Sequence, residues 1–268
     1  MAKTPKKVSE RLTKEIRRFQ LVLKKAKDRD VNESDTVTII TDILSNVFGF
    51  DKYTEVTSEH PVRGTFCDLA IKLDGKIKYL IEVKAIGMSL KENHLRQALN
   101  YGANQGIPWV VLTNGVNWDI YKIKFEQPIS NELVCSINFL ELNHRKQEDH
   151  DKVFLLCKEG IANAAIEEFH THVQSVNRFM IGAIIATEPI LSAVRRELRR
   201  VSPGLKVNND EIERIIVAEV FKRDVIEDEA FKIAQKQLKK IVKKAQPKRK
   251  TVNNEEIGDR DTNPNEVL

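Results

Sequence analysis

The sequence predicts an α/β fold of the α+β kind, a mixed sheet followed by an all-helical region. Three observations carry this. Residues 53–85 and 109–123 hold runs in which apolar and polar residues alternate. Between them, the stretch from 84 to 107 is long enough to be a helical crossover joining parallel strands. Beyond residue 150 the apolar spacing changes from two to three and four.

The elements follow in order. Leu12, Ile16, Phe19, Leu23 and Ala26 recur at helical spacing among Lys and Arg, which predicts an amphipathic helix over 8–27. Asn32-Glu33-Ser34-Asp35 supplies capping residues for a second helix through Ile39, Ile40, Ile43, Leu44 and Val47, stopped near Gly49. Strands are predicted at 53–57, 65–73 and 76–85, the last two flanking the turn signal Asp74-Gly75-Lys76. Ser89-Leu90-Lys91-Glu92 has capping-box spacing and opens a helix to about Ala103. Strands at 109–113 and 116–123 flank Asn114-Gly115, a strong hairpin signal, and 133–142 adds one more. Helices are then expected at 153–169, 173–187, 190–200, 210–222 and 229–244, punctuated by Pro189 and Ser202-Pro203-Gly204. The expected organisation is a basic amphipathic helix over 1–32, an α/β domain over 33–145, a helical domain over 150–245 and a disordered tail over 246–268.

Composition bounds the function. The 268 residues are 41% apolar and 31% charged, enough to bury a core, which excludes a disordered chain. No run approaches the roughly 18 apolar residues of a membrane span. The basic start lacks the apolar stretch of a signal peptide. Cys67, Cys135 and Cys157 are scattered, which suggests neither a disulfide framework nor a zinc knuckle. A cytoplasmic protein is the expectation. The net charge of +5 is uneven: residues 1–30 carry eleven Lys/Arg against four acids, and 232–250 carry nine against none. Basic ends of this kind either follow phosphates or are solvated helix faces.

The chemistry concentrates at 66–84. Cys67, Leu69, Ile71 and Leu73 on one arm, and Ile77, Tyr79, Ile81 and Val83 on the other, occupy odd positions. A hairpin that places both sets on one face must pair odd with odd. A three-residue loop over 74–76 does this and sets Asp68 opposite Glu82, with Lys84 on their face. Two opposed carboxylates repel unless a cation lies between them, and their oxygens suit Mg²⁺ or Mn²⁺. The ammonium of Lys84 could orient a water or stabilise charge on a phosphate. A surface salt-bridge cluster is the bland alternative. Gln97 and Tyr101 are i and i+4 on the crossover helix, where they could overhang the strand ends or be ordinary surface residues. His94 reads as structural. Glu33 could add a third acid or merely favour its helix N-terminus.

These residues resemble the PD-(D/E)XK nuclease superfamily. Asp68 followed by Glu82-Val83-Lys84 is similar to its D…(D/E)xK signature, and Gln97-Ala98-Leu99-Asn100-Tyr101 to the QxxxY motif of one branch. The closer resemblance is to the N-terminal nuclease domain of type I restriction enzyme R subunits, through Asn32–Thr36, Leu112-Thr113-Asn114-Gly115 and Trp118-Asp119-Ile120-Tyr121. It covers roughly residues 30–125. The resemblance implies a restriction-endonuclease-like αβββαβ core. It implies Asp68, Glu82 and the Val83 carbonyl as metal ligands, Lys84 as the catalytic lysine, Gln97 and Tyr101 as accessory residues, and Glu33 as the acid of the first core helix. No proline precedes Asp68. The sequence has no GxxxxGK[ST] phosphate loop, so the ATP-driven motor of R subunits is not implied.

The expected function is therefore a Mg²⁺- or Mn²⁺-dependent DNA endonuclease related to restriction or phage defence. Its expected partners are DNA and, through the helical region, a homodimer mate or another protein, with neither membrane nor ATP. The alternative is a catalytically silent nucleic-acid-binding or regulatory module that keeps the fold.

Overall fold

The structure, a computed structural model, describes residues 3–62 and 65–245; the expected tail over 246–268 lies outside the described residues. The chain divides into two compact units, residues 1–174 and 175–268.

The first unit opens with α1 (Lys6–Asp28) and α2 (Glu33–Asn46). The apolar stripe of α1 is buried from Val8 to Ala26. Asn32 caps α2, its Oδ1 accepting the Asp35 N–H at 2.9 Å. Six strands follow: β1 (Val56–Val62), β2 (Thr65–Leu73), β3 (Lys76–Val83), β4 (Trp109–Thr113), β5 (Asn117–Lys124) and β6 (Ser130–Asn138). They lie side by side in sequence order. Only the β3–β4 pair is parallel, joined by a 3₁₀ turn at Glu92–Leu95 and α3 (Arg96–Gln105). The mixed sheet and its αβββαβ order are thus as expected. The crossover helix begins later than the capping-box spacing suggested, and β1 lies three residues beyond its expected start.

Apolar clusters fill both faces of the sheet. On one, Leu69, Ile71, Tyr79, Ile81 and Val83 pack with residues of α1 and α2. On the other, Ala70, Leu80, Leu112 and Tyr101 pack beneath α3.

The β2–β3 hairpin corrects the expected three-residue loop. Leu73 pairs with Lys76 and Lys72 with Ile77, so Asp74-Gly75 is a two-residue loop. Both loop residues have positive φ, +51° and +75°, as a primed hairpin turn requires. A bulge then intervenes: Lys72 faces Ile77 but Ile71 faces Tyr79, which leaves Lys78 unpaired in the ladder. The bulge restores the odd-with-odd register from Tyr79 onward and turns Ile77 to the α3 face. Cys67 also belongs to that face.

The helix expected over 153–169 is three: α4 (Gln147–Phe154), α5 (Lys158–Ala162) and α6 (Ala165–Ser175). The breaks serve tertiary bonds. The Leu156 carbonyl accepts from the Tyr79 hydroxyl, and the Lys158 N–H donates to the Phe48 carbonyl. Ala164, at φ +53°, separates α5 from α6.

The second unit holds α7 (Arg178–Ile185), α8 (Glu188–Val201), α9 (Asn209–Ile215) running into a π-helical turn, α10 (Arg223–Ile226) and α11 (Glu229–Ala245). Its apolar core gathers Ala183, Val225, Phe231 and Ala234. The all-helical C-terminal region is as expected.

Candidate active site

The site forms at the C-terminal ends of the two parallel strands, where backbone pairing stops and side chains take over. The paired register runs to Leu69–Ile81, and Asp68 and Glu82 lie one step beyond it. There the Asp68 carboxylate Oδ2 accepts the Val83 N–H at 2.7 Å. The Lys84 N–H continues the parallel ladder to the Thr113 carbonyl at 2.9 Å.

Lys84 gathers the site. Its Nζ donates to Glu82 Oε1 and to the Val83 carbonyl, each at 2.8 Å. Glu33 Oε2, at the first position of α2, lies 3.8 Å from the same ammonium. Asp68, Glu82 and Lys84, expected from sequence to act together, and Glu33, left open between a third acid and a helix-start charge, therefore lie together.

The electrostatics follow from depth. Glu82 is 3% exposed. Burial pushes its carboxyl up to about 7, against the pull of the Lys84 hydrogen bond and with the added repulsion of Asp68. Burial opposes the Lys84 ammonium, but Glu82, Glu33 and Asp68 outweigh it and hold Lys84 above its ordinary value. Cys67, buried beside the acids, is pushed up to about 12 by burial and by the charges of Glu82 and Asp68, so it stays a thiol.

One buried atom is left over. Glu82 Oε2 has no hydrogen-bond partner among the described residues. Buried carboxylate oxygens without partners are costly and rare. No cage of three or more His, Cys, Asp or Glu side chains exists among the described residues. The two carboxylates and the Val83 carbonyl nevertheless form a hard-oxygen donor set, of which Lys84 Nζ holds Glu82 Oε1 and the carbonyl and leaves Glu82 Oε2 without a partner. These residues fit a divalent ion of the Mg²⁺ or Mn²⁺ type.

The crossover helix contributes less uniformly. Tyr101 is buried on the sheet face of Ala70 and Leu80, and burial, with Cys67 close by, holds its hydroxyl above its ordinary value. Gln97, one turn earlier, is exposed. His94 is structural: its Nδ1 accepts the Lys91 N–H at 3.3 Å.

Sequence reading took Asn114 as a turn signal and as part of the family resemblance, and missed its tie to the segment after Lys84. Asn114 is buried, and its side chain ties the segment after Lys84 to the β4–β5 loop. Its Nδ2 donates to the Ile86 and Met88 carbonyls, and its Oδ1 accepts from the Val116 and Asn117 N–H groups. Only the choice of Asn before Gly115 hinted at this, since an Asn side chain can bond both outward and to its own loop.

A mixed sheet with an acid–acid–lysine set at its parallel strand ends defines a restriction-endonuclease-like domain. Residues 40–135 match the family model described as Type I restriction enzyme R protein N terminus (HSDR_N). The match runs from within α2 into β6 and includes Asp68, Glu82, Lys84, Gln97 and Tyr101, which bears out the family resemblance over that segment. No curated protein and no solved structure matches the chain. The family match is compatible with a nuclease or restriction role and with interaction with DNA. No helix among the described residues is long and apolar enough to cross a membrane.

Proposed function

We propose that this protein is a Mg²⁺- or Mn²⁺-dependent DNA endonuclease of restriction or phage-defence type, acting in the cytoplasm. The observation that carries the reading is the buried Glu82 carboxylate, near Asp68 and gripped by Lys84, with one oxygen left without a partner.

Asp68, Glu82 and the Val83 carbonyl would hold the ion. When bound, it supplies an activated water and relief of negative charge on the phosphate. Lys84, kept protonated by its acidic neighbours, places a fixed positive charge beside the scissile phosphate and stabilises the charge that grows there. Glu33 holds the ammonium from the side of α2 and adds a third acid. Tyr101 and Gln97 act as accessory residues, the first from a buried position that fixes α3 over the strand ends. Asn114 keeps the segment after Lys84 from drifting across the site.

Purified protein incubated with supercoiled and linear DNA in Mg²⁺, Mn²⁺ or EDTA tests this. Cleavage with either metal, abolished by EDTA and by Glu82→Ala, is expected. Absence of cleavage with retained DNA binding would favour the silent-module reading.

A further inference from the structure

We infer that α8 of the second unit carries a binding face for the phosphate backbone of duplex DNA, distinct from the Asp68–Glu82 site. Arg195, Arg196, Arg199 and Arg200 fall on one side of this helix, and with Ser192 they alone line a shallow groove. Residues 195 and 199 stack one turn apart, as do 196 and 200, so the guanidinium groups form two columns. The set spans about 7.5 Å of helix axis.

Their charge is not neutralised within the helix. Glu197 is the acid that pairs with them among the described residues: it meets Arg200 at 2.9 Å and stands 3.8 Å from Arg196. Arg199 reaches a neutral acceptor, the Val207 carbonyl, at 3.4 Å. Arg195 has no ion pair among the described residues, and the Arg196 and Arg200 side chains are each 74% exposed. Like charges at i and i+4 weaken a helix, so the cluster costs stability unless an anion meets it. Arginine, with its planar fork of donors, is suited to phosphate oxygens. DNA presents a phosphate about every 3.4 Å of axis on each strand, so this face matches roughly two phosphates per strand.

A basic helix with an apolar back also suits a membrane surface. Here α8 has no aromatic residue to seat among headgroups; of its apolar side Leu191 is buried in the protein, while Ile190, Leu198 and Val201 are exposed. Duplex DNA is the better occupant. Choosing DNA among polyanions rests on the nuclease reading, but the binding itself does not require cleavage.

The test uses the full chain in EDTA, with fluorescence anisotropy on a duplex of about 30 base pairs from roughly 50 to 300 mM salt. The variants are the fourfold Arg→Gln change at 195, 196, 199 and 200 and the matching fourfold Arg→Lys change. The Gln variant should bind at least about tenfold more weakly, and its salt slope should fall by about 0.9 for each phosphate it no longer neutralises. The Lys variant should keep most of the slope. An unchanged affinity and slope in the Gln variant would overturn the proposal. So would a stronger preference of the wild type for phosphatidylcholine–phosphatidylserine vesicles than for DNA, abolished in the Gln variant. Should the fourfold Gln variant fail to fold by circular dichroism, Arg195→Gln and Arg199→Gln singly must each lower the slope by about one, and an unchanged slope in both refutes the idea. Binding that depends on α8 without any cleavage would remove the nuclease reading and leave this one standing. Cleavage with α8-independent binding would do the reverse.

Discussion

Glu82 and Lys84 occupy neighbouring positions but should fail in different ways. Glu82 carries the orphaned oxygen, while the Lys84 ammonium is bonded to Glu82 and to the Val83 carbonyl. Glu82→Ala is expected to weaken Mn²⁺ binding by titration calorimetry and to abolish cleavage. Lys84→Ala should leave Mn²⁺ binding largely intact and lower single-turnover cleavage by about two or more powers of ten, the scale of removing one preorganised electrostatic group. Glycines separate packing from conformation. A Cβ on Gly160 would lie 1.9 Å from the Phe154 carbonyl oxygen, so backbone must move. Gly106 has φ +68° and open space around its missing Cβ. Gly160→Ala should cost about 2–4 kcal/mol in denaturant melts, and Gly106→Ala only about 1 kcal/mol, the strain of its helix-ending conformation.

The β2–β3 hairpin is the element that sets the site. Its turn alone would pair odd positions with even ones. The bulge at Lys78 corrects that before the strands reach the carboxylates. The ladder from Ile71–Tyr79 onward does not use Lys78, so deleting it should leave Asp68 near Glu82 and Mn²⁺ binding near wild type. Inserting one residue after Leu80 moves Glu82 by one step and turns it to the other face. That variant should lose Mn²⁺ binding, and retention of binding would show that the register does not hold the pair.

Across the first unit, α1 works as a strap. Gln20 donates to the Phe139 and Leu142 carbonyls, at 3.1 and 2.7 Å. Arg11 forks onto Glu159 at 2.7 and 2.8 Å, and its Nε donates to the Val47 carbonyl, so α1, the end of α2 and α5 are tied at one point. Burial alone would raise the Glu159 carboxyl, but Arg11 holds it below its ordinary 4.5. A carboxylate with a lowered folded value stabilises above the unfolded value and loses that contribution as pH falls through the folded one. Glu159→Gln should therefore cost about 1 kcal/mol at neutral pH, the modest end for charge-assisted bonds because Glu159 is partly open to solvent. The gap in melting temperature between variant and wild type should close as the pH drops below about 4.5. A gap that stays constant down to about pH 3 would mean the ion pair contributes nothing beyond packing.

Local periodicity by itself determined the mixed α/β order, the buried stripe of α1, the Asn32 cap and the nearness of Asp68 to Glu82, because each rests on a spacing of two, three or four residues. The acid–acid–lysine motif was legible for the same reason: a strand carries residues 82 and 84 to one end together. The loop length was misread because Asp74-Gly75 and the bulge at Lys78 offset each other, and apolar alternation alone cannot distinguish that pair from one longer loop. Only the tertiary structure broke the stretch expected as helix over 153–169, where the Leu156 carbonyl and the Lys158 N–H bond to Tyr79 and Phe48, partners about 80 and 110 residues away. It alone also gave Asn114 its second task, bonding Ile86 and Met88 as well as its own turn. Glu33, too, was an ambiguous helix-start acid until folding carried α2 to the strand ends, because closeness between residues 33 and 84 depends on packing and leaves no mark in local spacing.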